Sequence, residues 1–177
     1  IQGASGLASL LGRRFGEPAY VPTVIADKTV ALAVVGSVAM ALFHRERTGE
    51  GQELEVPMYE TMVSFVMVEH LHGQTFVPAM GGTGYPRVLS PSRKPYRTKD
   101  GFVGVLPYSD KQWKALFAVV GRPDMAKDPR FATLAARAEN IDALYAQLAD
   151  QVAARTTAEW LNALDAANVP ATPINDF

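Results

Sequence analysis

The chain has no cysteine among its 177 residues. That absence excludes disulfides, thiolate nucleophiles and cysteine-ligated zinc. Histidine is scarce too: there are three, and His70 and His72 stand two apart. Such a pair does not share a helix face and has no third ligand nearby, so no metal site is expected. Neither charge sign is in excess, with 17 Lys and Arg against 18 Asp and Glu. Neither a basic nucleic-acid surface nor a polybasic membrane patch is expected. Long hydrophobic runs are missing as well. The longest, Val30 to Phe43, is interrupted by Gly36 and Ser37. It is shorter than the roughly 20 residues needed to cross a bilayer, so a buried core helix is expected instead. No G-x-S-x-G nucleophile elbow occurs, and "GGTG" at Gly81 lacks the Lys-Ser or Lys-Thr of a phosphate loop. No basic leader precedes Ile1, and the opening residues read like the interior of a longer protein.

What is present suits a folded core, with 48% hydrophobic and 20% charged residues. Residues Ile1 to Pro22 read as an irregular or short-helical lead-in. A helix is predicted from Lys28 to about Arg47, apolar nearly all round and so buried on most sides. His44, Arg45 and Arg47 before Gly49 match a helix C-terminus. Gln52 to Val56 alternate like a short strand, and Pro57 fits the first position of a helix over "PMYETMVSFVMVEHL". Glycine and proline then crowd residues 73–95, including "MGGTGYP", which reads as a linker or loop. "YRTKDGFVGVLP" predicts a β-hairpin turning at Asp100-Gly101. Ser109 and Gln112 form a capping box for a helix closing at Gly121; Thr156 and Glu159 form a second one. Between them a helix is predicted from about Asn140 to Arg155, and the tail from Val169 reads as extended. The pattern implies a helix-rich unit to about His72 and an α+β unit from about Tyr96.

Asp27 is the residue whose position asks for a reason, since it precedes a long run with almost no charge. At a helix N-cap its carboxylate would accept the backbone N–H of Thr29 or Val30. The same location, at the positive end of a helix dipole, favours an ionised carboxylate that can serve as nucleophile or base. The residue pattern leaves both roles open.

Several segments in order resemble family III CoA-transferases of the CaiB/BaiF type and the related α-methylacyl-CoA racemases. They are "IQGASGL" at Ile1, "IADKTVALAVVGSVAMALFHRERTGEGQELEVPMYETM" from Ile25, "YRTKDGFVGVLPYSDKQW" from Tyr96, "DPRFATLAARAENIDAL" from Asp128 and "TTAEWLNALDAANVPATPIND" from Thr156. The resemblance implies an α/β fold. Residues 1–72 would be part of a Rossmann-like large domain, made of helices plus a short strand. Residues 73–95 would be a linker with a glycine-containing loop, and 96–170 a small α+β domain with an antiparallel hairpin and helices. Residues 171–177 would start the return to the large domain. It implies Asp27 as the catalytic residue, attacking an acyl-CoA to give a mixed anhydride and then an aspartyl-CoA thioester, from which a carboxylic acid takes the CoA. Gly81, Gly82 and Gly84 fall in the region of a mobile active-site loop. No permanently bound cofactor is implied, coenzyme A entering as the thioester substrate. An interlocked cytoplasmic homodimer is implied, with no nucleic-acid or membrane partner. Members are roughly twice this length, so a fragment is expected, with apolar surface left exposed. In racemases the same aspartate works as an acid/base with a histidine; Gln2 in "IQGASGL" is similar to the transferase branch. A non-catalytic CoA-binding piece, with Asp27 only capping its helix, is the remaining alternative.

Overall fold

Three helices carry the first of two units in this computed structural model, which describes residues 1–176. The units are Ile1–Tyr85 and Pro86–Phe177; Phe177, the last residue of the expected return segment, lies outside the described residues. Together they make a mixed α/β chain with eight α-helices and a three-stranded antiparallel sheet among the described residues.

In the first unit, α1 spans Leu7–Phe15. The Gln2 side chain closes the lead-in. Its Oε1 accepts the Val21 N–H at 2.8 Å, and its Nε2 donates to the Val21 carbonyl at 3.3 Å. Two short turns, Thr23 N–H to Val21 and Ile25 N–H to Thr23, then lead into α2, Ile25–Thr48. The helix thus begins three residues before the expected Lys28, and Gly49 ends it by donating to the Arg45 carbonyl. The third helix, α3, covers Met58–His70, with Pro57 as its extended N-cap rather than its first residue. Ala26 and Val30 of α2 pack on Met62 and Val66 of α3, with Leu7, Leu10, Val56 and Met67 around them.

Two expectations fail in this unit. Gln52 to Val56 form no strand, although they are extended in sequence pattern. A strand is defined by its ladder partner, and no segment among the described residues pairs with these five; of them only Val56 turns inward. The second correction concerns α2, which is not buried on most sides. Beyond Val30 it is largely exposed, including Leu32 at 76% and Met40 at 68%. Periodicity reports how much apolar surface a helix has, not whether a neighbour is present to cover it. With 24 residues, α2 is also long and apolar enough to cross a membrane by length and composition, with 11% of its most apolar stretch buried. The run that looked too short is therefore the middle of a longer helix.

The second unit has a fuller core. A short helix α4, Pro86–Leu89, precedes β1, Tyr96–Arg97, and β2, Phe102–Val105. These strands pair antiparallel, Tyr96 opposite Val103 and Arg97 opposite Phe102, with the Asp100-Gly101 turn where it was expected. The tail supplies β3, Ala171–Pro173, on the other side of β2. Alternation puts Val103 and Val105 inward and leaves Phe102 outside. Both capping boxes form. Ser109 and Gln112 start α5, Asp110–Val119, and Thr156 and Glu159 start α8, Thr157–Ala166. Between them lie α6, Leu134–Glu139, which the pattern did not mark, and α7, Ile141–Val152.

Trp113, Phe117, Phe131, Leu144, Tyr145, Leu148, Trp160 and Leu164 fill the space between these elements. Two polar side chains inside, those of Trp160 and Arg137, find partners. Trp160 donates its indole N–H to the Val152 carbonyl at 2.8 Å. The buried Arg137 donates to the Phe131 carbonyl at 3.0 Å, pairs with Asp110 and lies over the Trp113 ring. Leu144 and Leu164 are fully buried. Replacing either by alanine is expected to lower the stability of this unit by about 2–5 kcal/mol, read from urea unfolding.

The hairpin turn is tied to α8 through Asp100. Its Oδ1 accepts the Thr157 N–H at 2.8 Å, the Thr157 hydroxyl at 3.0 Å and the Thr98 hydroxyl at 3.2 Å. The Thr157 N–H foremost, then the two hydroxyls, hold the Asp100 carboxyl below its ordinary value. A depressed carboxyl contributes stability that is complete above the unfolded value near pH 4 and is lost as pH falls through the folded value. Acidification from pH 5 to pH 3 is therefore expected to lower the urea midpoint more in the natural chain than in Asp100→Asn. Equal slopes would remove Asp100 from the acid response.

Candidate active site

The first turn of α2 places Asp27 in the open. Val24 is the N-cap and makes no side-chain capping bond, so Asp27 is not the cap that its position suggested. It is the third residue of the helix and the acidic residue of its first turn. The misreading has a simple cause: a helix can begin on a residue with no capping side chain when packing fixes its first turn, here through Ala26 and Val30. Asp27 itself points away from that packing and is exposed. No cation among the described residues forms an ion pair with it. The neighbouring Lys28 instead donates to the Thr23 hydroxyl at 2.8 Å. An unpaired, exposed carboxylate on a fixed helix keeps its lone pairs available to an electrophile.

Gly81, Gly82 and Gly84 lie in a loop that leaves the end of α3 and returns to it. The loop starts with a 3-10 turn, His72–Thr75. Its two ends are sewn together: Gly73 N–H donates to Gly82, Met80 N–H to Gly73 and Gly84 N–H to His70, with the Gln74 amide on the Gly81 carbonyl at 2.7 Å. Arg13 of α1 reaches the far side, donating to the Thr83 carbonyl at 3.1 Å and its hydroxyl at 3.3 Å. Outside this base the tip carries exposed Phe76 and Val77, and the Met80 side chain is exposed as well. Asp27 and the three glycines belong to one unit, but no hydrogen bond among the described residues joins them.

Glycine at 73 is required by contact. A Cβ there would sit 2.5 Å from the Gly81 backbone. Gly84 is required by conformation, with φ at +96°. Gly73→Ala is expected to break the loop base and to speed proteolytic cleavage between residues 73 and 84 by about tenfold or more, while cleavage elsewhere is unchanged.

Sequence reasoning missed Gln2, Arg13, Gly73 and His70 as the groups that shape this region. Their partners are 19, 70, 7 to 9 and 14 to 15 residues away, distances at which no local pattern operates. No group of three or more His, Asp or Glu among the described residues is placed to hold a metal. In the second unit, a cavity of about 280 Å³ is lined by Lys94, Tyr96, Leu106, Tyr145 and Thr172, among others. It offers two phenols but no carboxylate. Burial, and then Tyr145, push the Tyr96 hydroxyl well above its usual range, which keeps it neutral.

Comparisons with known proteins bear on the whole chain. The family model described as CoA-transferase family III matches residues 1–177. A probable fatty acyl-CoA transferase, Rv3272 of Mycobacterium tuberculosis, is 30% identical over 162 residues, covering 85% of this chain and 41% of that protein. The acetyl-CoA:oxalate CoA-transferase of Acetobacter aceti is 30% identical over 184 residues, covering 99% of this chain and 46% of its own length. A crystal structure of Rv3272 superposes with a TM-score of 0.76 at 27% identity, covering 99% of this chain and 45% of that one. A CaiB/BaiF family protein from Brucella suis gives 0.67 at 28%, covering 99% and 46%. The chain therefore spans less than half the length of these relatives.

Proposed function

Because the chain belongs to CoA-transferase family III, we propose that the whole protein moves coenzyme A from an acyl-CoA to a carboxylic acid, with Asp27 as nucleophile. The carboxylate attacks the thioester carbonyl and expels CoA thiolate, leaving a mixed anhydride. The thiolate returns to the aspartyl carbonyl, releasing the donor as its carboxylate and leaving an aspartyl-CoA thioester. The acceptor carboxylate repeats the two steps in reverse, forming a second anhydride and then the new acyl-CoA. Asp27 is regenerated, and no net proton is exchanged.

The observation that carries this reading is the exposed Asp27 carboxylate, without an ion-pair partner, on the first turn of α2. Its open setting suits a nucleophile that an acyl group must reach. Relatives support the substrate class, since their names pair acyl-CoA donors with carboxylates such as oxalate, mesaconate and glutarate. On the same reading, Gly81, Gly82 and Gly84 belong to a loop over the substrate, and CoA enters only as substrate. Residues 1–72 are read as part of a Rossmann-like large domain. Residues 73–95 are read as the linker, 96–170 as the small domain and 171–177 as the return. The exposed apolar face of α2 suits a protein completed by further chain, or by a partner in an interlocked cytoplasmic homodimer.

Hydroxylamine trapping tests the nucleophile. The intact protein, incubated with a panel of acyl-CoAs and then hydroxylamine, is expected to carry a hydroxamate at Asp27 by mass spectrometry. Asp27→Asn is expected to lose the label and about 10⁴-fold or more of kcat, with thermal stability little changed. An unlabelled Asp27 across the panel would remove the covalent route. Deuterium entering the α-carbon of a 2-methylacyl-CoA without CoA exchange would assign the residue to racemase acid/base chemistry.

A further inference from the structure

His70 ends α3 and is buried, with 5% exposure. Its backbone carbonyl accepts the Gly84 N–H at 2.7 Å, and its Nδ1 accepts the Tyr85 N–H at 3.2 Å. One residue therefore receives two successive amides of the returning loop. An imidazole nitrogen that accepts an N–H is unprotonated, so the neutral ring carries its proton on Nε2. Nε2 lies 3.6 Å from the Glu69 carboxylate, and the ring of the next histidine, His72, stacks on Tyr85. Arg13 holds Thr83, the residue just before this pair of amides.

We infer that His70 is a positioning residue for the Gly81–Gly84 loop, latching its return through Nδ1. Side chains that fill the space but lack an acceptor at the Nδ1 position release the loop. The Gly84 bond alone does not do the same work, because any residue at 70 supplies a carbonyl. The geometry also selects the substitute. Asparagine places its Oδ1 close to the Nδ1 position, whereas glutamine carries its polar atoms one bond farther, nearer Nε2. The consequence for substrate rests on the reading of this loop as an active-site cover; the latch itself does not.

Amide hydrogen exchange in the intact protein, without substrate, tests the latch independently of any chemistry at Asp27. His70→Gln and His70→Ala are expected to raise exchange at Gly84 and Tyr85 by about tenfold or more, with His70→Asn staying near the natural protein. Exchange at Met62 and Val66 of α3 serves as the internal reference for folding. Asparagine and glutamine have similar polarity, so a general folding fault affects both. Loss of protection in Asn and Gln alike, or protection retained in Ala, overturns the inference. As a second readout, with substrate, a rise in KM at nearly constant kcat is expected for His70→Gln and its rescue for His70→Asn. Failure of that arm alone, with the exchange pattern intact, overturns the loop as a substrate cover and leaves the latch.

Discussion

Everything proposed for the first unit depends on one contact, the packing of the first turns of α2 against the middle of α3. Ala26 and Val30 meet Met62 and Val66 there, and the Met62 side chain is entirely removed from water. That contact fixes where α2 starts and so where Asp27 stands, one residue beyond Ala26. It also fixes the direction of α3, whose last residue, His70, receives the returning glycine loop. Burial is non-directional, yet two helices locked by Ala26, Val30, Met62 and Val66 set the position of the polar groups they carry.

The two units differ in how far they satisfy themselves. The second surrounds its sheet with helices, and its buried Arg137 and Trp160 each find hydrogen-bond partners within the unit. The first leaves most of α2 uncovered, an apolar surface larger than soluble chains ordinarily present. Relatives more than twice as long give a reason why such a face exists. By length and composition α2 also passes the test for a membrane span, and composition does not specify what covers it.

Local chemistry in the second unit was legible where partners are near in sequence. Ser109 with Gln112, and Thr156 with Glu159, form their boxes because donor and acceptor lie within one turn. Asp100-Gly101 turned the hairpin for the same reason. The third strand was not marked as one, because residues 171–173 acquire that state only by pairing with β2, some seventy residues earlier. The converse error occurred at Gln52 to Val56, where a good alternating pattern had no ladder to join. Asp27 was singled out by its setting, and of the two local roles left open for it the cap falls to Val24, because the cap preference is weaker than the packing of its neighbours.

The amino-acid sequence by itself determined the family, the longer helices, the two capping boxes and the residue most worth testing. These depend on spacing within a turn or on residue types held in a fixed order along the chain. Only the tertiary structure decided that Gly73 and Gly81 touch, that Gln2 clamps Val21, that His70 receives Tyr85 and that α2 remains exposed. Each of these is a relation between residues whose proximity is created by packing, and packing depends on which surfaces are available to meet.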